Sequence, residues 1–330
     1  MKRLLPAMTL LLSLSLIMSQ DYPKKKFYKR EKNAAKIMGR DDRKFGDHSG
    51  NRVLCRFYNH GSIGDQSSSF SGVYPIGSGH SYIWEFSPVV AASVVDTNGF
   101  RRHIVSDGIS GLVDASPEGT PWSFEPLSGY ANPNQENLAM SDNENSWPNS
   151  WPNRTEDWNG EWNGQYGKYV RADQESYFVV DDRYNSEFEF WPDQNDLPED
   201  PTVSPDEHRR GLGIEMEARG YQWNHPAAED IIIVTYWITN VGSSVLDSVV
   251  FGMYGDADIG GASSFSDDDA WFDTENDMVY QWDHDNWSSS YGGFRPAYFG
   301  WSFLESPGNP HDGIDNDGDG MIDESQFDGI

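Results

Sequence analysis

One cysteine, Cys55, stands in 330 residues. No internal disulfide can form, so packing, hydrogen bonds or metal ions must hold the fold. No Cys-His pattern surrounds Cys55, which reads as a small buried hydrophobe rather than a nucleophile. Long apolar runs are missing too. Beyond Met18 no stretch approaches the ~18 apolar residues of a membrane helix, so the mature chain has no transmembrane span. Cations are scarce past residue 56, with ten Lys/Arg against forty-eight Asp/Glu in 57–330. Such a surface repels nucleic-acid phosphates and anionic lipid heads. Nucleic acid is excluded as a partner, and divalent cations are the natural ones. Sustained 3.6-residue periodicity is also absent. Short apolar runs alternate with turn residues, the signature of an all-β chain.

Catalytic constellations are lacking as well. There is no His-Glu-x-x-His helix, no Gly-x-Ser-x-Gly elbow and no phosphate-cradling loop. Asp96-Thr97 is no subtilase aspartate motif, because no glycine follows and the His and Ser motifs are missing. The eight histidines are scattered. His284, between Asp283 and Asp285, is a ligand candidate by position alone. Asp181-Asp182 is a carboxylate pair, but glycosidase chemistry needs two carboxyls at a defined separation across a cleft, which adjacency does not establish. The chain reads as non-catalytic, with a hydrolase fragment as the weaker alternative.

What is present divides the chain. Lys2 and Arg3 precede an apolar run from Leu4 to Met18, and Ser19-Gln20 leads into polar sequence. This is the pattern of a signal peptide over 1–20 and predicts secretion. Residues 21–56 form a basic arm containing "KKKFYKREKNAAK", with twelve Lys/Arg against five Asp/Glu. A flexible solvated leader is the plain reading and a polyanion-binding arm the sharper one. Residues 57–200 are β-rich and loop-rich, 201–304 are a β-sandwich region of Ig-like type, and 305–330 are an acidic calcium-loop segment.

Strands are expected at Ser81–Phe86, Val89–Val95 and Arg101–Val105, with Asp96-Thr97-Asn98-Gly99 turning the last pair and Gly99 at positive φ. Two more are expected at Ser176–Val180 and Ser186–Phe190. "GIEMEARGY" from Gly213 alternates as a half-buried strand with one wet face. Asp230–Thr239 carries apolar residues on both faces and predicts a central strand. It turns at Asn240–Ser243 into Val245–Tyr254, forming a long hairpin. Met278–Trp282 and Ala297–Phe303 complete the set.

The loop "SWPNSWPNRTEDWNGEWNGQYG" repeats Trp-Pro-Asn at 147–149 and 151–153, and Trp-Asn-Gly at 158–160 and 162–164. Pro and Gly exclude a regular helix. Trp147, Trp151, Trp158 and Trp162, with Trp191 beyond, form a possible carbohydrate platform, since sugars stack on flat aromatic faces. Surface glycans or other envelope proteins are the partners this implies. The alternative is a clamp in which the rings pin the loop to the sheet. A platform leaves rings coplanar and exposed; a clamp buries them.

"HDGIDNDGDGMIDESQFDGI", His311–Ile330, holds seven carboxylates and four glycines. Calcium takes six to eight oxygens at about 2.3–2.6 Å. Counting from Asp315, ligands fall at Asp317, Asp319, the Met321 carbonyl and Asp323, with Gly320 at the sharp turn. Gln326 stands where an EF-hand needs a bidentate Glu, and Pro307 and Pro310 deny the loop a flanking helix. A disordered acidic tail is the alternative. Asp256 with Asp258, and Asp267–Asp269 with Asp273, are candidates for a second ion.

The acidic loop resembles thrombospondin type 3-like calcium repeats, which implies calcium. The runs "LGIEMEARGYQWNHPAAEDIIIVTYWITNVGSSVLDSVVFGMYGDADIG" and "ADQESYFVVDD", with the repeated Trp units, resemble large secreted surface proteins of Gram-negative bacteria that are similar to type IX secretion cargo. The resemblance spans most of 57–324 and implies location and architecture but no activity. The sorting domain of such cargo is not seen, and Asp312-Gly313-Ile314 recurs as Asp328-Gly329-Ile330. A longer protein is therefore expected. The overall expectation is a secreted cell-surface or extracellular matrix protein stabilised by Ca2+, or else a carbohydrate-binding module.

Overall fold

The computed structural model describes residues 42–65, 70–110, 122–193, 208–261 and 264–304, with Ala115. The signal peptide, residues 21–41 of the basic arm, and the acidic segment with Asp315, Asp317, Asp319, Met321 and Asp323 lie outside the described residues.

Thirteen strands are described: β1 (Phe45–His48), β2 (Cys55–Tyr58), β3 (Ile83–Val95), β4 (Arg101–Asp107), β5 (Glu125–Pro126), β6 (Ala139–Met140), β7 (Gln174–Asp181), β8 (Ile214–Gln222), β9 (Ile233–Asn240), β10 (Asp247–Ala257), β11 (Asp268–Asp273), β12 (Met278–Asp283) and β13 (Phe299–Ser302). All pairings between them are antiparallel. The chain is all-β, as the short apolar runs predict. No described helix is long and apolar enough to cross a membrane.

Four ladders organise the strands: β1-β2, β10-β3-β4, β11-β12-β13 and β5-β7-β8-β9, with β6 also on β7. β3 runs unbroken where two strands are expected. Pro88 fits inside it because it sits just past the end of β4, whose pairing begins at Val89. There the Pro88 carbonyl takes the Gly108 N–H, and the missing proline N–H leaves no ladder position empty. Gly99 closes the β3–β4 turn at φ +80 as expected, with the Asp96 carboxylate accepting the Asn98 and Phe100 N–H groups.

Other expectations are corrected. The basic arm does not extend to residue 56 as a free leader, because β1, β2 and the buried Cys55 are built into the core. Ser186–Phe190 is not a strand. Its carbonyls go elsewhere: Arg210 donates to the Phe188 and Phe190 oxygens, and the Thr97 N–H to Glu189. β9 is an edge of its sheet rather than central. Nor do β9 and β10 form a hairpin, since β10 pairs with β3. The intended turn is pulled open because Val241 and Gly242 donate to the Gly213 carbonyl, and Ser243 and Ser244 to Pro192. β11 was not expected at all.

The main core explains these choices. Val234, Tyr236 and Ile238 of β9 and Met216 and Ala218 of β8 share it with Phe86, Val90 and Val94 of β3 and Phe299 of β13. From β10, Val249, Phe251 and Met253 pack on the same core, and the rings of Tyr236 and Phe251 lie 5.3 Å apart. Side chains alternate across β7. Phe178 and Val180 enter the main core, while Tyr177 and Val179 enter a second cluster behind the sheet. The strands before and after residue 200 thus share ladders and one core.

Candidate functional site

The chain turns at the end of β10 through Asp256 and Asp258, then through a 3-10 turn at Phe265–Asp267 into β11. β12 returns so that Asp283 stands directly opposite Asp268. Like charges facing each other across a ladder destabilise it. Asp267, Asp283 and Asp285 bring one carboxylate oxygen each to within 4.8 Å of the others. Two oxygens on one calcium ion lie at most about 5.2 Å apart, twice the longest Ca–O distance. The spread therefore suits one such ion.

Asp283 is buried and rigidly placed, with one oxygen accepting from Ser264 Oγ at 3.0 Å and the other from the Trp287 N–H at 2.7 Å. Asp268 accepts the Ile259 N–H through Oδ2. Its Oδ1 is buried without a hydrogen-bond partner. Burial, with the charges of Asp283, Asp258 and Asp267 beside it, pushes the Asp268 carboxyl up to about 7. Burial and then Asp256 push Asp258 up to about 6. The donors are hard oxygens throughout, the set that calcium takes and a soft metal does not.

Of the residues the sequence singles out, Asp267 joins the group, while Asp258 lies close enough for its charge to raise the Asp268 carboxyl, and Asp256 accepts from the Tyr254 hydroxyl. Two others stand apart. Asp273 lies at the far end of β11 opposite Met278, and caps its own turn through Glu275 and Asn276. Asp269 holds His284 at 2.7 Å and keeps that exposed imidazole above its ordinary value. His284 therefore points at a neighbour carboxylate and joins no ligand set. Asp283 and Asp285 were missed as ligands, although their spacing around His284 put both carboxylates on one turn.

Asp181 and Asp182 each have partners within the fold. Asp181 ion-pairs with Arg183 and Arg209. Asp182 is buried, accepts from the Leu212 and Ile214 N–H groups and Ser106 Oγ, and is pushed up to about 6 by burial. It is a strut between β4 and β8.

The tryptophan loop has clamp geometry. Trp151 and Trp162 are 3% and 2% exposed, and Trp147 and Trp158 pack against the same cluster. The Trp147 and Trp162 rings meet at 45° and Trp151 and Trp162 at 87°, so these three make no flat exposed face. Each of three indole N–H groups points inward: Trp147 to the Met140 carbonyl, Trp151 to that of Glu161, Trp162 to Glu175 Oε2. Trp191 is covered by Arg210 and meets His208 edge-on. The physical reason is local. Tyr177 and Val179 leave the back of β7 apolar, and the indoles cover it.

Comparison of the chain with protein-family models, curated proteins and solved structures finds no match in any of the three.

Proposed function

We propose that this chain is a secreted, non-catalytic protein of the cell surface or extracellular matrix, whose folded end is stabilised by calcium. The carrying observation is the convergence of Asp267, Asp283 and Asp285. A bound divalent cation would offset the repulsion between those carboxylates and tie the turn before β11 to the end of β12. Export rests on the signal-peptide pattern of 1–20 and accords with the type IX cargo resemblance. In the same reading the sheets that share the main core form an Ig-like β-sandwich. The loop at Asp315, Asp317, Asp319, Met321 and Asp323 would supply a second calcium site.

Calorimetric titration of calcium into the full chain tests the metal. The reading predicts a saturable heat that diminishes in Asp267→Asn/Asp285→Asn. Both residues are exposed, so their replacement is expected to leave stability within about 0.5 kcal/mol in the absence of metal. A second variant, Asp315→Asn/Asp317→Asn/Asp319→Asn, isolates the other site. No heat in the parent chain would remove calcium from the account.

A further inference from the structure

The face of the five-stranded sheet turned away from the main core carries Glu217 and Arg219 on β8, paired directly with Trp237 and Thr235 on β9. The 153–166 loop folds over this face and leaves a cleft of about 210 Å³, lined also by Arg154, Gln165 and Tyr166. Its charge is unlike the rest of the molecule. Beyond residue 56 the chain has ten Lys/Arg. Two of them, Arg154 and Arg219, meet here on a single residue. Arg154 Nε donates to the Asn163 side-chain oxygen at 2.7 Å, and Arg219 Nη1 to the Asn163 carbonyl at 2.5 Å.

Neither arginine makes an ion pair among the described residues, in a chain where Asp and Glu number 53. Glu217, the carboxylate in the cleft, already accepts the Tyr177 hydroxyl at 3.0 Å. Arg219 is 5% exposed and lies over the Tyr177 ring at 3.9 Å; Arg154 lies over Trp158 at 4.3 Å. Buried charges are ordinarily paired. Burial and the nearby Arg219 charge hold the Arg154 guanidinium below its ordinary value. An anion in the cleft would relieve both. Arg154 Nη2 also donates to the Gly164 carbonyl at 3.4 Å, so the loop holds its Nε–Nη2 edge, and a carboxylate would be met by the donors that remain on the two guanidinium groups.

The cleft walls select further. Tyr166 is 66% exposed, with Arg171 over one face at 4.6 Å and the other face left to a ligand, and Trp237 is 36% exposed. Gln165 Oε1 accepts from Tyr221, which leaves its amide N–H donors for a ligand. Flat rings, an amide and a carboxylate beside a cationic floor match a sugar ring that carries both hydroxyls and an acid. The volume is below the ~300 Å³ of a drug-sized pocket, so it suits one ring of a longer chain.

We propose that this cleft binds a uronic-acid unit of an acidic polysaccharide, its carboxylate on Arg154 and Arg219 and its ring against Tyr166 and Trp237. This site differs from the buried tryptophan cluster and does not depend on the calcium reading.

The test titrates the full chain with a defined oligogalacturonate, with a neutral glucose oligomer of equal length, and with acetate. Saturable binding of the oligogalacturonate is expected, weakened by added salt and at least tenfold tighter than the neutral oligomer. Acetate alone should bind at least a hundredfold more weakly. Tyr166→Ala alters an exposed ring and is expected to weaken binding at least fivefold with the thermal midpoint unchanged; Trp237→Ala, checked for its midpoint, is expected to weaken binding by as much. Arg219→Lys, checked for its midpoint, should reduce the preference for the acidic over the neutral oligomer. Equal binding of the two oligomers, binding of neither, or ring variants indistinguishable from the parent would each overturn the proposal.

Discussion

Single side chains in this protein are governed by burial more than by partners. His48 sits fully buried against Phe57 and bonds Ser176 Oγ at 2.8 Å; burial lowers its imidazole to about 3. Its unfolded form takes a proton near 6.5. The folded state therefore binds fewer protons between those values, and stability falls as pH drops from about 6.5 toward 3. His60, also lowered by burial, acts in the same sense. Asp182, raised to about 6, acts oppositely and loses its contribution as pH rises through that value. His48→Gln isolates one contribution. Its thermal midpoint should fall less steeply than the parent's from pH 6.5 to 4, and parallel curves would contradict the assignment. Trp162 makes the second residue-scale prediction. As a clamp it should cost ~3–5 kcal/mol on replacement by Ala, read from denaturant unfolding. As an exposed sugar platform it would change stability by less than ~0.5 kcal/mol. The tryptophans were legible in sequence as a group, but which face they served was not. Aromatic rings spaced by Pro and Gly look alike whether they cover a sheet or a ligand, and the apolar back of β7 that decides the matter lies some fifteen residues further along the chain.

At the level of elements, local patterns located most strands and failed on partners. The alternation in Ile214–Gln222 is real at its start, where Glu215 and Glu217 are half-exposed. It vanishes toward Arg219 because the 153–166 loop covers that end. The apolar character of Asp230–Thr239 predicts a strand flanked on both sides, yet it is an edge strand and its Trp237 is 36% exposed. Pairing of β10 with β3 joins positions more than 150 residues apart, such as Val250 and Ala91, and nothing in either segment's own pattern encodes that partner. The open turn between β9 and β10 depends on carbonyls of Gly213 and Pro192, supplied by distant loops. Gly211 shows how tight those loops are. It holds φ +68, and an added Cβ would run into the Asp182 carbonyl oxygen. Gly211→Ala should therefore destabilise by more than the ~1 kcal/mol typical of a strained glycine site, measured as a shift in the denaturant midpoint without a change in slope. A neutral result would mean that the loop relaxes freely.

For the whole molecule, shared ladders imply shared stability. β3 pairs with β10 and β7 with β8, so the segments on either side of residue 200 complete each other's sheets. A fragment covering 42–200 should show no cooperative melt, whereas the full chain should unfold the described region in one transition. A cooperative transition in the fragment would show an independent unit. The all-β class was legible because it follows from composition and period. The carboxylate convergence was partly legible: Asp267 stands in an evident acidic cluster, but Asp283 and Asp285 join it only through the return of β12. The unpaired arginines on the outer sheet face had no sequence signal, since Arg154 and Arg219 lie 65 positions apart and are brought together by Asn163.

The central claim is that calcium holds the acidic end of this fold. The most direct measurement is thermal unfolding of the full chain with calcium and with EGTA, in parent and in Asp267→Asn/Asp285→Asn. The account predicts a midpoint several degrees lower in EGTA for the parent and a smaller calcium-dependent shift in the variant. Identical midpoints in calcium and EGTA for the parent chain would contradict it.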